Sequence, residues 1–454
     1  MGSAGTAALT AARRRLAIRR ELATTPGRLR LAAVLLTLGA IVFGIVAANA
    51  AGKRRDAVSD VGRTETLLVS AVDLSASLSN AHAITALSFL VGGPEPAVSR
   101  RRYRREMNLA AIGTAELSRE VGPSAESGAA LGQILSQLQA YSGQIDSARA
   151  NNRLGYPVGS AYLRRASKTM RTEILPAARD LYEIQAENLT AGLRSGVSAR
   201  TTLAVVLAAC GLLALLAGTQ VFLARTTHRV VNVCLAAATV VLVALGGWIV
   251  VAFALQQQAL GEAQRTGSDP VELLTAARIL ALRAQADESI ALSARGGGEG
   301  EPRLKDVDRG FQAVVAPIGR SRARNALASG GLLHAAAEIA EPTTARIDAI
   351  YDAYRTYRAA HRKVVAAESL GNFTIAVGLA VRSHEDGSLS TKQAADALNA
   401  ALVREVGVAQ RSFERELSRA ESALGGLAIG IPVLTVLCAG LALLGVRRRL
   451  DEYR

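Results

Sequence analysis

VVNVCLAAATVVLVALGGWIVVAFAL, residues 230–255, contains no charged side chain. Three other stretches share that property: LAAVLLTLGAIVFGIVAANA at 31–50, TTLAVVLAACGLLALLAGTQVFLA at 201–224 and ALGGLAIGIPVLTVLCAGLALLGV at 423–446. Each can cross a hydrocarbon core, which takes about 20 residues as a helix. Buried helices of soluble proteins rarely run so long without a charge. The four stretches therefore predict four transmembrane helices. A cleaved signal peptide is the competing reading of 31–50. Its apolar run exceeds the roughly 7–15 residues of a signal core, although AANA at 47–50 approaches a small-x-small exit.

Basic residues beside the spans set the expected orientation. The arm 1–30 carries Arg13, Arg14, Arg15, Arg19, Arg20, Arg28 and Arg30 against Glu21; the turn 225–229 is RTTHR, and the tail 447–454 is RRRLDEYR. Four spans bring all three segments to one side, which should be the cytoplasm. Lys53, Arg54 and Arg55 depart from this pattern, because they fall just outside. Two large segments, 51–200 and 256–422, are then extracytoplasmic. The net charge of +15 could suggest nucleic acid. Most of it lies in the internal segments, where anionic lipid headgroups explain it, and no nucleic acid is expected. Cys210, Cys234 and Cys438 all lie inside spans, so the external segments have no disulfide framework, and no CxxC pair suggests zinc.

Each external segment contains a seam of three- and four-residue steps. In the first it runs through Leu131, Ile134, Leu138, Tyr141, Ile145, Ala148, Asn152 and Gly155. In the second it runs through Ile347, Ile350, Tyr354, Tyr357, His361, Val364, Glu368 and Gly371, offset by 216 at every position. Such spacing lines one face of a packed helix. Ala86-Leu87-Ser88 resembles Ala291-Leu292-Ser293, and each triplet precedes a double glycine. These matches predict a duplication of span, helical bundle and span.

The expected fold is an all-α membrane protein with four transmembrane helices and two duplicated extracytoplasmic helical bundles. Helices are expected at about 54–91, 97–121, 125–153 and 158–200, with Pro94, Pro96, Pro123 and Pro157 at the joints. The second set is about 256–295, 303–337, 341–369 and 388–423, with GNFTIAVGLA at 371–380 as an irregular or short extended piece.

No GxSxG, HExxH or glycine-rich phosphate loop occurs, so no enzyme, cofactor or metal is expected. The five histidines fall singly in different elements, and His361 on the seam reads as a packing residue. Two dense polar patches remain. Arg149, Asn151, Asn152 and Arg153 end the first seam. They are either a solvated, capped tip or a contact for an anionic ligand or partner. RRRYRREM at 100–107 either pairs with Glu95, Glu106, Glu116 or Glu120, or meets an acidic partner. Arg13, Arg14, Arg15, Arg19 and Arg20 alternate with Leu16, Ile18 and Leu22, as in an interfacial helix or a docking arm for a cytoplasmic protein.

YSGQIDSARANNRLGYPVGSAYLRRAS, 141–167, and the span arrangement resemble the actinobacterial GlnX family of four-span membrane proteins. The resemblance implies a relay between an amino-acid-binding lipoprotein, GlnH, and the cytoplasmic serine/threonine protein kinase G. It supplies no catalytic residues. Independently, the external segments look like helical chemoreceptor sensor domains. Direct small-molecule sensing and an envelope scaffold stay open, and a homo-oligomer is compatible with each. The uncharged spans argue against a transporter.

Overall fold

In the computed structural model, residues 25–90, 95–121, 126–154, 156, 158–196, 199–227, 232–293, 304, 307, 344–382 and 387–451 are described. They form α1 (Thr25–Leu90), α2 (Ala97–Glu120), α3 (Glu126–Arg153), α4 (Val158–Thr169), α5 (Leu175–Gly196) and α6 (Ala199–Thr227). The chain continues with α7 (Val233–Ala263), α8 (Asp269–Ser293), α9 (Thr344–Ser369), α10 (Phe373–Val381), α11 (Thr391–Gly425) and α12 (Leu427–Asp451). No strand occurs among the described residues. Four helical stretches are long and apolar enough to cross a membrane. The chain is an all-α, multi-pass membrane protein. The basic arm with Arg13, Arg14, Arg15, Arg19 and Arg20 lies outside the described residues, as does almost all of the expected helix 303–337.

The chain divides into two compact units. One comprises Met1–Ser59, Leu193–Leu260 and Leu417–Arg454 and contains the spans. Its helices approach through glycines, as spans do where lipid offers no hydrophobic drive. A β-carbon on Gly44 would meet Thr435 at 2.8 Å, and one on Gly430 would meet the Trp248 ring. Outward-facing Leu38, Val42, Ile45, Val240, Val251 and Val436 form the exposed apolar surface that a bilayer covers. Within this unit Arg54 is buried. It donates to Gln256 Oε1 at 2.7 Å and Thr202 Oγ1 at 2.9 Å, and lies 4.2 Å from the Phe253 ring centroid.

The second unit comprises Asp60–Gly192 and Gly261–Glu416. Its first half packs Leu74, Leu78, Leu117, Ile134, Tyr141, Ile145, Met170 and Leu181 into one core. Its second half packs Leu274, Ile350, Tyr354, Tyr357, Leu398 and Leu402. A third cluster joins Leu87 and Leu90 to Leu292, Val364, Ala376 and Ala380, so the halves share apolar contact. Arg171 and Asp287 add an ion pair between them at 3.5 Å. The apolar stretches of both seams face inward, Leu131, Ile134, Tyr141, Ile145 and Ala148 in the first and Ile350, Tyr354, Tyr357, His361 and Val364 in the second, while Leu138, Asn152 and Glu368 are half-buried and Gly371 is exposed.

Three local features have clear causes. Tyr156 N–H donates to Asn151 O at 3.0 Å and Asn372 N–H to Ala367 O at 3.0 Å, so α3 and α9 close alike, with donor and acceptor both displaced by 216 positions. In the second closure Gly371 takes φ +74°, which suits a residue without a β-carbon. The stretch 371–380 is not extended: after that turn, α10 forms because Ala376 and Ala380, one helical turn apart, are buried together. Tertiary packing here overrides the β-branched composition. Finally, π-turns interrupt the helices at Met170–Ile174 and Gln264–Ser268. Pro176 and Pro270 each stand two residues beyond. A proline ring clashes with the carbonyl four residues back, and a widened turn relieves that clash.

Candidate functional site

Three helices of the first half line a cavity of about 530 Å³. The last turn of α1 contributes Ser88 and Phe89, and Glu95 precedes α2. From α2 come Arg100, Tyr103, Arg104, Met107 and Asn108, whose three- and four-residue steps put them on one face. From α3 come Ser142, Asp146, Arg149, Asn152 and Arg153.

Arg149 is the centre of this arrangement. Its Nε lies 2.9 Å from Glu95 Oε2 and its Nη2 donates to Glu95 Oε1 at 3.1 Å. Its Nη1 lies 3.5 Å from Asp146 Oδ1, and its guanidinium stacks 4.2 Å from the Tyr103 ring centroid. Arg100 Nε approaches Glu95 Oε2 at 3.5 Å from the other side. Burial raises the Tyr103 hydroxyl pKa above its ordinary value, and the Arg149 charge opposes that shift. Arg104 and Arg153 make no ion pair among the described residues. Four arginines face two carboxylates, so the lining carries a formal excess of two positive charges. A fork of guanidinium donors over an aromatic ring, in a cationic cavity, is suited to holding a carboxylate.

Arg149, Asn152 and Arg153 thus come together, joined by part of the 100–107 patch, which the sequence reading kept separate. Asn151 does not line the cavity: its Nδ2 donates to Ser147 O at 2.8 Å on its own helix. Sequence reasoning missed Phe89 and Tyr103 as lining residues and treated Glu95 only as one acid among four. The regular Arg100–Tyr103–Arg104 spacing was the available signal.

Other buried polar groups in this unit are structural partners. His82 lies 3.5 Å from the Tyr141 hydroxyl and 3.3 Å from Ser167 Oγ. Burial first, then the Arg171 charge, push its pKa down to about 3. His361 is fully buried and shares a 2.5 Å hydrogen bond with Glu288. Among the described residues no group of three metal-ligating side chains comes together.

No curated protein and no solved structure shows a significant match to the chain. Residues 57–194, the half that holds the cavity, match the family model of the Actinobacterial sensor domain. That match and the four membrane-length helices fit a sensor-type membrane protein with a sensing or signalling role.

Proposed function

We propose that the chain is a transmembrane signal relay. It couples an extracytoplasmic amino-acid-binding lipoprotein to a cytoplasmic serine/threonine kinase and performs no catalysis itself. The observation that supports this is the secondary structure at the unit boundaries. The chain passes between units at 59/60, 192/193, 260/261 and 416/417. All four passages lie inside uninterrupted helices, α1, α5, α7 and α11. Such helices can carry two states, which coupling between sites requires. The sensor-domain match supports the receiving role, and the GlnX resemblance supplies the identity of both partners. In this reading both termini and the 225–229 turn are cytoplasmic, and the halves arose by duplication, as the matched closures of α3 and α9 suggest. The cavity favours a second reading, direct recognition of a small anion.

The test is photocrosslinking in intact cells with and without an added amino acid, followed by identification of captured proteins. Capture of a solute-binding protein from the 60–192 half and of a kinase from the arm supports the relay. Capture of neither, with ligand bound by the purified chain, leaves direct sensing. Orientation is checked with an impermeant thiol reagent after replacement of the native cysteines. Ser388→Cys should react in sealed cells and Thr227→Cys should not; the reverse pattern overturns the assignment.

A further inference from the structure

Glu95 holds Arg149 in the manner of a bound ligand. The Nε and Nη2 edge of Arg149 faces Glu95, with Nη2 donating to Oε1 and Nε in ion-pair range of Oε2, and the Tyr103 ring lies against the guanidinium from one side. A purely structural ion pair needs no cavity beside it. Here the pair opens onto about 530 Å³, a volume suited to a small molecule. Arg104 and Arg153 stand on the lining without an ion pair among the described residues. The site therefore holds more donors for an anion than Glu95 uses. Arg100, already 3.5 Å from Glu95, can keep that side chain when Arg149 changes partner.

We propose that Glu95 is an internal placeholder in a dicarboxylate site, and that a small dissolved dicarboxylate exchanges with it on Arg149. One carboxylate takes the Arg149 fork and the second meets Arg104 and Arg153. No bond is made or broken beyond ion pairs. The exchange releases Glu95, which adjoins the Pro96 N-cap of α2, so ligand binding alters the start of α2. This rests on reading the cavity as the entry point of the signal.

The test uses the full chain in nanodiscs and calorimetric titration with succinate, with succinamide at equal ionic strength as control. Glu95→Gln removes the tethered competitor and should bind succinate about tenfold tighter than wild type or better, since tethered groups act at roughly millimolar effective concentration. Adding Arg149→Ala to it should abolish the gain. Arg149→Lys alone keeps the charge, loses the fork, and should weaken binding to the wild-type chain. That variant carries the test if Glu95→Gln loses the wild-type helical spectrum. Equal affinity of wild type and folded Glu95→Gln, no succinate binding by either, or undiminished binding by the Arg149 variants overturns the proposal. Binding that leaves the emission of Trp248 unchanged would keep the dicarboxylate site and count against the relay.

Discussion

Trp248 lies so close to Gly430 that a β-carbon on the glycine would fall 2.3 Å from the indole ring. A β-carbon on Gly426 would also meet that ring, at 2.9 Å, so the third and fourth spans close against each other at two small residues. Gly430→Ala must push the ring aside, at a cost of about 1–3 kcal/mol typical of overpacking. Trp248 is the only tryptophan in the chain. Its emission in nanodiscs should therefore change directly. An unchanged spectrum and unchanged thermal midpoint would disprove the contact.

Ile134 is fully buried at the centre of the first seam, whereas Gln139 on the same helix is exposed. Ile134→Ala should cost about 2–5 kcal/mol through lost burial and the cavity it leaves. Gln139→Ala should stay within about 0.5 kcal/mol. Chemical denaturation followed by far-UV circular dichroism compares them, and equal losses would show a wrong register.

His82 has an ordinary pKa of 6.5 and a folded value near 3. Between those values the unfolded chain binds a proton that the folded chain refuses. Stability therefore falls as pH drops through this window, by at most about 1.4 kcal/mol per pH unit. His82→Gln keeps an amide for Tyr141 and Ser167 and does not titrate. Its thermal midpoint should decline less steeply from pH 6.5 to pH 4. Parallel profiles would mean that His82 accepts a proton without unfolding.

Glu65 shows the opposite sign. Burial, and then the neighbouring Glu414 charge, raise its carboxyl from 4.5 to about 7. The folded chain retains a proton there that the unfolded chain releases, so its contribution is lost as pH rises through about 7. Glu65→Gln should melt above wild type at pH 8 and lose that advantage at pH 4. An advantage of the same size at both would point to packing instead of charge.

The spans were legible because absence of charge over such a length has few meanings. The seams were legible because their period is local: Tyr141, Ile145, Tyr357 and His361 are all fully buried. The cavity was only half legible. Arg149, Asn152 and Arg153 share a helix end, but their lining partners Arg100 and Tyr103 belong to another helix, and periodicity within a helix cannot report which helix lies opposite. Glu95 was one of several acids in sequence; only the fold selects it for Arg149. The stretch 371–380 misled because local composition outweighs unseen neighbours until Ala376 and Ala380 find their cluster.

The two π-turns bear on how this chain can change in length. Each holds one residue more than an α-helix of the same span requires. Deleting Thr172 together with Pro176→Ala would return the first to a plain helix while flanking faces such as Leu163 and Leu181 stay buried. A single deletion elsewhere in α1 or α3 would turn everything beyond it by roughly 100° and expose the seam. Inherited one-residue gains and losses should therefore gather at 170–174 and 264–268, and their appearance should coincide with the presence or absence of the proline that follows.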